Sequence, residues 1–211
     1  MAKEKQLSEA DAKKLEELNK TAAKYEEEGY RLSFLTASSS GKVYTLSTLY
    51  GVIIAAPFLI IHLLVHRGAL FTGQWNILGH LPVFVLCMVA LVVIHELIHG
   101  IFFSIFTGNG FKDVKFGFNT RTFIPYCTCK KPLKKRPYLT AVLMPCLLLG
   151  IIPCIVAIVI NNLALIEMGI IMIIGAGGDL LILQMVLTRK AGKDSLYLDH
   201  PTDVGCLLLE K

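Results

Sequence analysis

His95, Glu96 and His99 are spaced as His-Glu-x-x-His, in the stretch His95-Glu96-Leu97-Ile98-His99. The stretch lies in an apolar run from Leu81 to Phe106 whose only formally charged residue is Glu96. On a helix, residues four apart stand about 40° apart around the axis and one turn up. Two imidazoles so placed can face one zinc ion, and the neighbouring Glu can reach a water on that metal. Burying ionisable groups at membrane depth is expensive, so such a cluster points to function. The plain alternative is a pair of membrane histidines bonded to backbone carbonyls, with Glu96 paired to one of them.

A catalytic zinc ordinarily takes three protein ligands, so the pattern calls for one more donor. Asp179 leads by depth. His99 lies seven residues before Phe106, and Asp179 lies eight before Leu187. At about 1.5 Å per residue, both stand roughly 10–12 Å inside the same boundary. Gly175, Gly177 and Gly178 permit a helix break or close approach that aims the carboxylate. His200, in the polar tail, is the alternative ligand and would have to fold back. Cys127 and Cys129 lack a second thiol pair to complete a metal site and read as reduced thiols. His62, His66 and His80 lie near the opposite face and receive no role.

These residues need apolar helices to position them. Of the 211 residues, 54% are hydrophobic, against about 45–50% for a soluble domain. They fall in blocks, several longer than the roughly 20 residues that cross a bilayer. The expected fold is an all-α membrane protein with about four transmembrane helices, near residues 46–66, 81–106, 138–160 and 163–187. Residues 1–45 read as a solvated cytosolic arm with an amphipathic helix from Ser8 to Glu28. Leu7, Ala10, Leu15, Leu18 and Ala22 approximate its stripe, and Gly29 is its stop. Residues 188–211 read as a cytosolic tail. From Phe111 to Cys129, apolar and polar residues interleave, giving a small cytosolic β-hairpin-like insertion between helices 2 and 3, turning near Asn119-Thr120.

Loop charge orients the chain. The arm, the insertion loop and the tail hold twenty Lys and Arg, against Arg67 alone on the other side. Both termini are therefore expected in the cytoplasm, with the protein a multi-pass resident of the cell membrane. The charged N-terminus does not read as a signal peptide. The basic run Lys130–Arg136 implies contact with anionic membrane lipids, and no nucleic acid.

HELIHG within a span, the aromatic strand-like loop, Leu143-Met144-Pro145 in the next span and Gly178-Asp179 in the last resemble the site-2-protease-like intramembrane zinc metalloproteases. The chain looks closest to a bacterial family of zincin peptidases catalogued as a domain of unknown function, and the tail Asp199-His200-Pro201 is similar too. The resemblance implies that residues 46–187 form a membrane metalloprotease-like domain that hydrolyses peptide bonds of membrane-protein or peptide substrates. It further implies Zn²⁺ as cofactor, His95, His99 and Asp179 as metal ligands, and Glu96 as general base. In the site-2 group the Asp ligand precedes Gly, whereas here Leu180 follows Asp179. An edge strand within Phe111 to Tyr126 is the expected substrate-holding element. Two other classes use the same residues: a non-hydrolytic membrane metal-binding or transport protein, and an inactive protease-like scaffold.

Overall fold

The structure, a computed structural model, describes residues 9–36, 40–66, 77–119, 124–200 and 203–211. Arg67, Trp75, the hairpin turn at Thr120 and the stripe position Leu7 lie outside the described residues, as do the side chains of Ala10 and His80. In chain order the described elements begin with α1 (Glu9–Glu27), β1 (Arg31–Thr36), α2 (Ser40–His66) and α3 (Ile77–Thr107). Then come β2 (Val114–Asn119), β3 (Ile124–Cys129), β4 (Leu133–Lys134), α4 (Lys135–Pro145) and α5 (Ile152–Ile160). The chain continues through α6 (Leu163–Gly175), α7 (Gly177–Thr188), β5 (Leu196–Asp199) and β6 (Gly205–Glu210).

Among the described residues, three helical segments are long and apolar enough to cross a membrane: Gly41–His66, Leu81–Thr107 and Lys135–Ile160. The pair α6 and α7, bent by 49°, makes a fourth if counted as one span. Their outward faces carry large apolar side chains, such as Leu64 at 73% exposure, Leu86 at 70% and Val159 at 77%. A surface of this kind fits lipid rather than water. The segment Lys135–Ile160 stays continuous through Pro145 and Pro153 because a π-helical stretch, Cys146–Ile151, lies between them. Proline cannot donate to the helical ladder, and a widened turn accommodates the lost bond. Asn161 takes a left-handed conformation, and the Asn162 side chain accepts from the Leu165 amide. That is the tight turn expected between two antiparallel helices.

The β2–β3 hairpin sits between α3 and α4, as its alternation predicts, with Val114 opposite Cys129. A second sheet corrects the all-α expectation. Its order is β1-β6-β5-β4, every pair antiparallel, with Arg31 opposite Glu210 and Leu196 opposite Leu209. The reason the tail does not read as strand is burial on both faces. Cys206 and Leu208 enter the cluster of Phe103, Tyr138 and Val186, whereas Leu207 and Leu209 pack with Leu18 and Ala22 of α1. With no solvated face, β6 shows no polar alternation. The amphipathic helix is consequently no detached arm, since its stripe covers the outer face of this sheet.

The sheet and the hairpin together gather four helix ends. β1 leads into α2, β4 leads into α4, β5 and β6 follow α7, and the hairpin follows α3. Gly205, at φ +147°, makes the sheet possible, because a Cβ there would collide with the Leu35 carbonyl of β1. We expect Gly205→Ala to lower stability by about 1–3 kcal/mol, the usual cost of overpacking. Thermal unfolding in detergent micelles, set against an exposed control such as Gly41→Ala, checks this.

Candidate metal centre

Helix α3 presents His95 and His99 one turn apart, and α7 brings Asp179 to them in its own first turn. His95 Nε2 lies 3.1 Å from Asp179 Oδ2 and 3.2 Å from His99 Nε2, and His99 Nε2 lies 3.4 Å from the same carboxylate oxygen. The three atoms form a nearly equilateral triangle. Donors at tetrahedral corners about 2.0–2.1 Å from zinc stand about 3.3–3.4 Å apart, so the spacing matches one metal-sized centre. The imidazoles are buried and the carboxylate is half-buried.

The donor chemistry agrees. His99 Nδ1 lies 2.9 Å from the Ala141 carbonyl oxygen of α4. A carbonyl only accepts, so Nδ1 carries a proton, and Nε2 is the ring atom turned to the cluster. The ring is further fixed by stacking. His99 stacks on Phe103 at 6.2 Å and 19°, Phe103 on Tyr138 at 6.5 Å and 30°, and Tyr138 on Tyr197 at 5.8 Å and 17°. An aromatic column thus runs from the site to the four-stranded sheet.

Asp179 reaches its place because the last helix pair is broken at Ala176 (φ −74°, ψ 8°). Gly177 lies so close to α2 that a Cβ would strike the Ser47 carbonyl. The break puts the carboxylate in the first turn of α7, where the positive end of the helix dipole favours it. This is the role foreseen for the glycine-rich stretch.

Glu96 is half-buried beside His95, and its carboxylate accepts a hydrogen bond from the Cys127 backbone N–H of β3. The hairpin comes this close because Gly100, next to His99, leaves room for the Phe116 ring of β2. His200, the alternative ligand, is not brought to the group. Its Nδ1 accepts the Asp203 backbone N–H at 3.0 Å, and its ring meets Phe34 edge-on at 6.0 Å. Cys127 and Cys129 are free thiols. Burial pushes the Cys127 thiol well above its ordinary range and that of Cys129 up to about 12. Neither thiol belongs to the donor group formed by His95, His99 and Asp179.

Two groups near the site escaped the sequence reading. The Ala141 carbonyl orients His99 without any side-chain signature. Asp199, the last residue of β5, accepts from the Cys129 amide and from the Tyr138 hydroxyl, each at 2.8 Å. Burial pushes the Asp199 carboxyl upward, and these two bonds pull the other way. It lines a cleft of about 360 Å³ between α1, β3 and β5, beside Lys115, Tyr126, Thr128 and Lys130.

Fold and site together define a mostly helical protein, with helices apolar enough for a membrane, that carries a His-His-Asp donor set suited to a divalent metal. A family model, DUF3267, described as "Putative zincin peptidase", matches residues 88–193, half of the chain, and the chain belongs to this family. The matched stretch contains His95, Glu96, His99 and Asp179 and stops before Asp199. No curated protein and no solved structure matches the chain.

The triangle makes a direct prediction. His95→Ala, His99→Ala and Asp179→Ala should each abolish stoichiometric zinc binding by the purified protein, whereas His200→Ala should retain it. Elemental analysis after gel filtration reads the result. Zinc retained by Asp179→Ala would remove this carboxylate from the ligand set.

Proposed function

We propose that the protein is an intramembrane zinc metallopeptidase acting on membrane-associated polypeptides. The observation that carries this reading is the closed triangle of His95, His99 and Asp179 donors with Glu96 at its side. His95 Nε2, His99 Nε2 and an Asp179 oxygen hold the metal. When bound, zinc supplies Lewis-acid activation of a water and of the scissile carbonyl. Glu96 takes a proton from the attacking water on its carboxylate and passes it to the departing amine. The Ala141 carbonyl and the Phe103 ring hold the His99 ring from behind, so that its Nε2 would stay directed at a bound metal.

An extended peptide is held along the outer edge of β2, within the stretch Phe111 to Tyr126, by strand addition. Support comes from the hairpin having two strands among the described residues, so that β2 has no strand on its outer side, and from the Phe116 ring of β2 lying against Gly100, next to His99. The lysine-rimmed cleft beside the hairpin gives the chain a path away from lipid.

Four crossings fit the gathering of helix ends. The sheet and hairpin tie the start of α2, the end of α3, the start of α4 and the end of α7 together, so α6 and α7 act as one bent passage. With twenty of the twenty-one Lys and Arg of the sequence in the arm, the insertion loop and the tail, the reading puts both termini and the hairpin in the cytoplasm of a multi-pass cell-membrane protein, touching anionic lipids.

Glu96→Gln separates hydrolysis from mere metal holding. The variant should bind one zinc per chain yet lose about 10²–10⁴-fold in cleavage of casein presented in detergent micelles. Equal product patterns from variant and unaltered protein would end the peptidase reading in favour of a metal-carrying one. For topology, a reporter inserted between Asn161 and Asn162 should register outside the cytoplasm while reporters at either terminus register inside. All three reading alike would refute four crossings.

A further inference from the structure

Outside the metal triangle, Asp199 is a carboxylate held by two hydrogen bonds, one to each of its oxygens. It lies beyond the stretch that the family model covers, and the proposed reaction does not use it. Its surroundings explain why a carboxylate stands there. Along a strand, amides two residues apart point the same way. On the outer side of β3, Pro125 has no N–H, the Cys127 N–H goes to Glu96, and the Cys129 N–H goes to Asp199. Two carboxylates therefore hold one strand edge, about 6.6–6.8 Å apart along it. The second Asp199 oxygen accepts the hydroxyl of Tyr138, a fully buried residue of α4. Tyr138 is one helical turn from Ala141, whose carbonyl fixes the His99 ring. It also stacks on Phe103, which in turn stacks on His99.

We infer that Asp199 is a positioning residue for this site: its two hydrogen bonds clamp the strand that meets Glu96 to the helix that orients His99. One oxygen sets how far β3 reaches along the site, and the other sets the seat of α4. The strand β5 that carries it is anchored by pairing with β4 and β6, so the clamp is built on a rigid element. A buried acid kept only for folding would satisfy the same two donors without affecting the metal's surroundings, and the test must tell these apart.

The effect on turnover rests on the peptidase reading, whereas the effect on the metal's surroundings does not. The full chain is purified in detergent micelles, loaded with Co²⁺, and its visible absorption recorded between pH 5 and 9 for unaltered protein, Asp199→Asn and Tyr138→Phe. Cleavage of casein and thermal unfolding are followed on the zinc-loaded forms. Asp199→Asn preserves size but can accept only one of the two hydrogen bonds. We expect it to bind one metal per chain, to show an altered cobalt band or a displaced pH midpoint, and to lose about 10–100-fold in kcat. KM should change much less than kcat. Tyr138→Phe should move the spectrum and kcat in the same direction by a smaller factor. An unaltered cobalt spectrum in Asp199→Asn overturns the inference, whether activity is kept or falls only in step with the folded fraction. If unaltered protein leaves casein intact while the cobalt spectrum still responds to Asp199→Asn, the positioning role stands and the peptidase reading falls.

Discussion

Two imidazoles and a carboxylate within 3.4 Å of one another are the contact around which the protein is built. In an apolar setting each group alone would cost several kcal/mol, and a lone charge more. Brought together, they supply one another's polar partners and offer a divalent cation the ligands it needs. That requirement brings the Asp179 side chain, at the start of α7, to the two histidines of α3. It also explains why the last helix pair breaks at Ala176 and why glycine, rather than a larger residue, faces the Ser47 carbonyl. The bend in α6–α7 is thus the consequence of aiming one carboxylate, and no further cause is needed.

Around this contact lie two supports of different kinds. The aromatic column behind His99 is apolar and resists rotation of the ring. The Asp199 clamp is polar and resists sliding of the strand. Both lead to the four-stranded sheet, itself held between α1 on one side and the helix ends on the other. A site made of side chains from two helices is therefore stiffened from outside the apolar layer, where hydrogen bonds between strands can be made without competition from the helical ladder.

Much of this was readable in the residues, for identifiable reasons. The meeting of His95 with His99 follows from helical periodicity. Asp179 could be matched to them by counting residues to the helix ends, since apolar helices keep depth and sequence in register. The hairpin announced itself because one face of β2 and β3 alternates with the other. The second sheet did not, because Leu207, Leu208 and Leu209 are buried on both faces and read as an undifferentiated apolar run. Ala141 acts through a carbonyl that every residue possesses. Tyr138 resembles an ordinary aromatic at the head of an apolar helix, and Asp199 was overshadowed by its neighbour His200, a more familiar ligand type. What escaped was in each case a role set by tertiary contact rather than by residue type.

The pairing of β1 with β6 joins stretches from opposite ends of the sequence. During synthesis, the three donors and the long apolar helices leave the ribosome before β6 does. Helices can enter the bilayer early, but β1 must wait unpaired until residues 205–210 arrive, since contacts of such long sequence separation form last. Only then does the strand bearing Asp199 gain its second neighbour, beside β4. A growing chain whose helices have already formed therefore still lacks the brace behind the His-His-Asp group.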